Sequence, residues 1–205
     1  MADYGKGKMM SSPSLFDLAP PEASETIDEI NQEMLEKGKL LFPDKFFIFG
    51  TGNRAAKVVI VGESPGLPDA DSEKPFMGPV GELLTKILAS VGLRREECYL
   101  TNVVKIISTG DEITPDILSF FTPYLHREMA VARPQVIIAL GNTPTKALLN
   151  TKKPISQVRG DFYDYYDMKL MPTFNPAYLL RDPSKKREVW EDMKKIRDLL
   201  AEKKD

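Results

Sequence analysis

Glu63, Asn102 and Asn175 each stand at or just past the end of a short apolar run. A carboxylate with two carboxamides can stabilise positive charge, orient a water and offer both donors and acceptors to a planar ligand. The runs are Val58-Val59-Ile60-Val61-Gly62-Glu63-Ser64-Pro65-Gly66, Tyr99-Leu100-Thr101-Asn102 and Leu170-Met171-Pro172-Thr173-Phe174-Asn175-Pro176. A related run, Val136 to Leu140, ends in Gly141-Asn142. Short β-branched runs bounded by turn residues read as buried parallel strands, and ligands of open α/β sheets gather where such strands end. A loop after the first strand, Asp69 to Met77, is acidic and delivers one aromatic, Phe76, beside the glycine-rich start of a helix at Gly78-Pro79-Val80-Gly81. A ring placed there can serve as a stacking platform.

The elements between these runs follow helical spacing. Leu83, Leu84, Ile87, Leu88 and Val91 form one apolar face, and Val189, Met193, Ile196, Leu199 and Leu200 form another over a helix from Pro183 to Ala201. Thr26 with Glu29 makes a capping box for a helix ending near Gly38. Thr114-Pro115 starts a helix running to about Val131, and Thr143-Pro144 starts another. Strands alternating with helices predict a three-layer α/β/α sandwich with a central, mainly parallel four-stranded sheet and right-handed crossovers. Residues 1–25 lack apolar periodicity and are expected to form a disordered N-terminal arm, leaving 26–205 as a single domain.

Composition narrows the function classes. The chain has 205 residues, 42% hydrophobic and 28% charged, which suits one well-buried domain. One cysteine, Cys98, and one histidine, His126, exclude a disulfide framework and leave no soft ligand set for zinc or an iron–sulfur cluster. No apolar run approaches the roughly 20 residues that span a bilayer, so a soluble cytoplasmic protein without membrane partners is expected. The net charge of −2 gives no global basis for nucleic-acid binding. Local basic groups occur at Lys152, Lys153 and Arg159, and at Arg181, Lys185, Lys186 and Arg187. Neither a phosphate-loop lysine motif nor a dinucleotide glycine fingerprint is present, which weighs against an unrelated nucleotide-binding domain.

Five segments, in order, resemble the type-four uracil-DNA glycosylases: Val61 to Gly66, Pro75 to Leu84, Tyr99 to Lys105, Arg133 to Gly141 and Phe174 to Arg181. The resemblance implies a monofunctional glycosylase that flips uracil out of DNA and hydrolyses its N-glycosidic bond. It implies catalytic roles for Glu63 near the sugar and Asn175 at the leaving base, with Asp69 a secondary carboxylate expected to be solvated. Ser64, Phe76 and Asn102 would bind the base. Pro65, Gly66, Tyr178, Leu179 and Arg181 would contact DNA, with Tyr178 and Leu179 as the wedge.

Two departures from the family pattern stand out. The family holds a four-iron four-sulfur cluster, yet Ile106 and Phe121 occupy two of its cysteine places and the N-terminal cysteine pair is absent. The expectation is an enzyme without metal or cofactor, acting as a monomer on DNA. Asn175 stands where the family has histidine, which leaves open a glycosylase for another deaminated base such as hypoxanthine, or a DNA-binding relative without catalysis.

Overall fold

The computed structural model describes residues 25–107 and 113–202. Of the arm expected over residues 1–25, only Glu25 lies within them, and its carboxylate accepts from Arg127. In chain order the main elements are α1 (Ile27–Leu41), β1 (Thr51–Gly52), β2 (Val58–Gly62), α2 (Leu67–Ala70), α3 (Gly78–Ala89), β3 (Tyr99–Asn102), α4 (Pro115–Ala132), β4 (Val136–Leu140), α5 (Asn142–Leu149), α6 (Ile155–Val158), β5 (Tyr163–Tyr165), β6 (Met168–Thr173), α7 (Pro176–Arg181) and α8 (Lys186–Glu202).

The sheet has six strands in the order β1-β3-β2-β4-β6-β5. Its central four, β3, β2, β4 and β6, are mutually parallel and are the four the sequence shows as apolar runs. The expected count is corrected by two short antiparallel edges. One is β1, only Thr51 and Gly52, and the other is β5, which pairs with β6 from Tyr163↔Leu170 to Tyr165↔Met168. Neither has an apolar run, because edge strands face solvent on one side and need none.

Both faces of the sheet are covered, as parallel sheets require. Val59, Val61, Tyr99, Ile137, Ala139 and Leu170 pack with α1 and α4, while Val58, Ile60, Leu100, Ile138 and Met171 pack with α3 and α8. The period-two alternation of side chains therefore runs through strands whose every residue is buried. Because the four central strands are parallel, Gly62, Asn102, Leu140 and Thr173 all end at one edge.

Three boundaries differ from expectation. Helix α1 continues through Gly38 to Leu41, since Gly38 is there for close packing rather than termination. A Cβ at that position would lie 2.6 Å from the Phe47 ring. Helix α5 begins at Asn142 rather than Thr143, because Gly141 takes the N-cap with φ of 97°. Pro183–Lys185 forms a separate 3-10 turn before α8, capped by the Asp182 carboxylate accepting from Ser184 N at 3.2 Å.

Candidate functional site

The strand ends meet through the backbone. The N–H of Val103 donates to Gly62 O and that of Val104 to Glu63 O, both at 2.9 Å, so the chain leaving β3 is stitched to the loop leaving β2. Gly141 N donates to Thr173 O at 2.8 Å, joining the ends of β4 and β6 in the same way.

Gly62 marks the closest approach. A Cβ there would stand 2.3 Å from Asn102 Oδ1 and 2.7 Å from Phe76 Cζ, so the strand end, the carboxamide and the ring converge on one point that only glycine leaves open. Asn102 is 3% exposed and sits in register with Gly62. Among the described residues none hydrogen-bonds to its carboxamide. Phe76 is buried and holds a left-handed backbone, φ 59°, an arrangement that costs a bulky residue about 1–3 kcal/mol and persists only where surroundings enforce it.

Asp69 is part of that enforcement. The expectation of a solvated carboxylate is overturned: Asp69 is 5% exposed, accepting from Gly66 N at 3.0 Å and from Met77 N at 2.7 Å. It clips the loop after β2 to the residue following Phe76. Arg95 completes the clamp by donating to Pro75 O at 2.9 Å, and Gly81 lies so near the Phe76 carbonyl that a Cβ would fall 1.7 Å from its oxygen.

Glu63 is exposed, and its carboxylate accepts a hydrogen bond from the Thr143 hydroxyl in the first turn of α5. Ser64 is half-buried beside it. Asn175, half-buried past the end of β6, is committed at both ends of its carboxamide: Oδ1 accepts from Ala177 N at 2.8 Å as the N-cap of α7, and Nδ2 donates to Leu140 O at 3.4 Å. Among the described residues the second Nδ2 hydrogen has no partner.

The proposed DNA contacts divide. Gly66 is half-buried and Arg181 exposed, but Pro65 is buried, which corrects its expected place at the DNA surface. Tyr178 is half-buried, its hydroxyl donating to Asp182 at 3.3 Å and its ring 5.3 Å from that of Phe174. Leu179 is 0% exposed, whereas Leu180 is 46% exposed. The wedge expectation for Leu179 therefore fails. With α7 beginning at Pro176, position 179 lies on the same helix face as buried Pro176, and position 180 is rotated about 100° toward solvent. Arg159 likewise leaves the basic surface, since its guanidinium pairs with Asp192 and Glu188 and covers the Phe174 ring at 5.4 Å.

The residues present do not fit an iron–sulfur cluster. Ile106 is 4% and Phe121 0% exposed, and the Phe121 ring stacks on Phe42 at 5.8 Å and meets Phe120 edge-on at 4.9 Å. Cys98 packs with the opposite layer, its thiol pushed up to about 11 by burial. Among the described residues no three His, Cys, Asp or Glu side chains gather into a metal site. Phe121→Ala is expected to cost about 3–5 kcal/mol of stability, read by chemical denaturation, because the buried ring packs among Phe42, Phe47 and Phe120.

Thr143, Leu180 and the clip formed by Asp69 do not show as site features in the sequence. Thr143 is three residues past the strand end at Leu140, which is the available signal, whereas the rotation exposing Leu180 depends on the exact start of α7.

Comparison with known proteins identifies the family. Residues 49–194 match the family described as the uracil DNA glycosylase superfamily. The chain is 34% identical over 190 residues to a type-4 uracil-DNA glycosylase of Archaeoglobus fulgidus, covering 87% of this chain and 96% of that one. It is 37% identical to one of Thermotoga maritima over 75% of this chain and 82% of that one, and 35% identical to one of Saccharolobus solfataricus over 86% and 85%. A match over residues 49–194, together with relatives 34–37% identical over most of both chains, places this chain in the uracil DNA glycosylase superfamily.

Proposed function

We propose that this protein hydrolyses the N-glycosidic bond of uracil in DNA, as a monofunctional glycosylase of base excision repair. The observation that carries the reading is the convergence of Gly62, Phe76 and Asn102 at the edge where Glu63 and Asn175 also stand. A base turned out of the duplex stacks on Phe76, and Asn102 reads its edge with one donor and one acceptor. That pattern suits uracil and leaves cytosine with unpaired polar groups. Glu63, oriented by Thr143, stabilises the developing sugar cation or holds the attacking water. The free Nδ2 hydrogen of Asn175 donates to the departing base. Asp69 serves by holding Phe76 in place rather than by touching the sugar.

Exposed Leu180 takes the wedge role beside Tyr178, and Arg181, Lys186 and Arg187 face phosphate. A wedge matters only where a stack must be opened. Leu180→Ala should therefore slow uracil release from duplex DNA about tenfold, a loss near 1.4 kcal/mol, and leave single-stranded substrate almost unaffected. Equal losses on both substrates would remove Leu180 from this role.

The enzyme works without an iron–sulfur cluster. The purified protein is expected to be colourless, to hold no stoichiometric iron by elemental analysis and to keep its thermal midpoint in chelator. A second reading, a DNA-binding relative without turnover, is favoured by one observation, the commitment of Asn175 to capping α7. Incubation with oligonucleotides carrying one uracil or one hypoxanthine, followed by alkaline cleavage, separates these readings. Strand scission at uracil supports the proposal, scission only at hypoxanthine moves the substrate, and none at either favours the binding protein.

A further inference from the structure

Behind the end of β3 lies a buried ion pair that the proposed mechanism does not use. Lys105 and Glu128 are both 0% exposed, with Nζ 2.6 Å from Glu128 Oε2. Lys105 Nζ also donates to Thr101 Oγ1 at 2.5 Å and to the main-chain carbonyl of Asn102 at 2.6 Å, so all three of its hydrogens are placed. Glu128, on α4, accepts from Tyr99 OH at 3.0 Å and from Thr101 Oγ1 at 3.3 Å. Burial lowers the pKa of Lys105, and the Glu128 carboxylate opposes that shift.

Packing alone does not call for this arrangement. Replacing a buried ion pair by well-packed apolar groups is often neutral or stabilising, so charges kept in a core ask for a reason other than stability. Here the reason is legible in where the third hydrogen goes. It reaches back from Lys105 to the last residue of β3, whose carbonyl would otherwise end the strand without a partner from this side chain. The backbone of Lys105 is itself fixed, its carbonyl accepting from Ile48 N at 2.7 Å. Asn102 is thus held from below by an ammonium whose position is set by α4 and by the Phe47 segment.

We infer that Lys105 and Glu128 are positioning residues: the Lys105 ammonium, anchored by Glu128 and Thr101, fixes the Asn102 peptide and with it the carboxamide that reads the flipped base. The inference rests on the proposed glycosylase reading. The cationic end of the pair also lies toward the strand end and the anionic end toward α4, the orientation that favours negative charge building on a departing base.

The test is the double variant Lys105→Met with Glu128→Gln, which is near in shape, neutral and leaves Tyr99 OH an acceptor. Misplacing a binding group by an ångström can cost about a hundredfold, so kcat on a uracil oligonucleotide should fall about 10- to 100-fold while KM for the DNA stays at the parent value. In amide NMR spectra the side-chain resonances of Asn102, assigned by loss in Asn102→Asp, should shift or split, and those of Asn175 should not. A folded double variant with parent kcat and unmoved Asn102 resonances overturns the inference. Should that variant fail to fold, Thr101→Val removes one anchor of the ammonium and is held to the same two readouts. A parent protein inactive on every deaminated base defeats the functional reading instead, and the resonance comparison still decides whether the pair places Asn102.

Discussion

Glu63→Gln should lower the rate of uracil release by about 100- to 1,000-fold, the usual scale for removing one electrostatic element aimed at a developing charge. The side chain is exposed and touches the fold through its bond from Thr143, so stability should move by no more than about 0.5 kcal/mol. The substitution keeps shape and removes the negative charge that opposes the sugar cation. Asn102→Asp is expected to match that loss for a different reason: it removes the carboxamide donor and sets a carboxylate against a base that is becoming anionic. Asn102 is buried, so a charge there also carries a folding cost, absent in Glu63→Gln, of about 1–3 kcal/mol. Single-turnover cleavage paired with urea denaturation separates the two effects. Parent rates in both variants would show that the strand-end site is misassigned.

Asn175 divides an active enzyme from a binding relic. Its Oδ1 caps α7, so Asn175→Ala should destabilise by about 1 kcal/mol through loss of the cap, whatever its role in turnover. If the free Nδ2 hydrogen reaches the leaving base, alanine should also reduce the rate about a hundredfold. Asn175→His can keep the cap, because Nδ1 of an imidazole is able to accept from Ala177 N. That bond fixes the tautomer with the proton on Nε2, aimed outward with longer reach than a carboxamide. The rate should then equal or exceed that of the parent. The series is assayed at equal DNA occupancy with denaturation curves beside it. A rate unchanged by alanine and by histidine, with only the stability loss observed, would confine Asn175 to capping.

The parallel core is readable in the sequence because it is buried on both faces. Runs such as Val58 to Gly62 and Val136 to Leu140 carry no polar interruption, and each ends in glycine or a polar turn residue that names the loop edge. The edge strands are not readable, since Thr51-Gly52 and Tyr163 to Tyr165 pair through backbone and carry no pattern of their own. Within the site, strand ends and loop composition are enough to place Glu63, Phe76 and Asn102. They are not enough for Leu179 and Asp69. The burial of Leu179 depends on helix phase, fixed by a cap at Asn175, and a single residue of error exchanges a buried leucine for an exposed one. Asp69 stands in an acidic loop whose composition suggests solvation, but its carboxylate takes up the backbone N–H of Met77, eight residues further along the chain. The Lys105–Glu128 pair joins residues 23 apart, and nothing local to either announces the other.

The most direct measurement is base release itself. The protein is mixed in excess with a single-stranded oligonucleotide bearing one labelled uracil, and free uracil is quantified by chromatography against time, with Glu63→Gln in parallel. Stoichiometric uracil release leaving an alkali-labile site, slowed at least about a hundredfold by Glu63→Gln, is the predicted result. Bound oligonucleotide from which no uracil appears, or equal release by the two proteins, would contradict it.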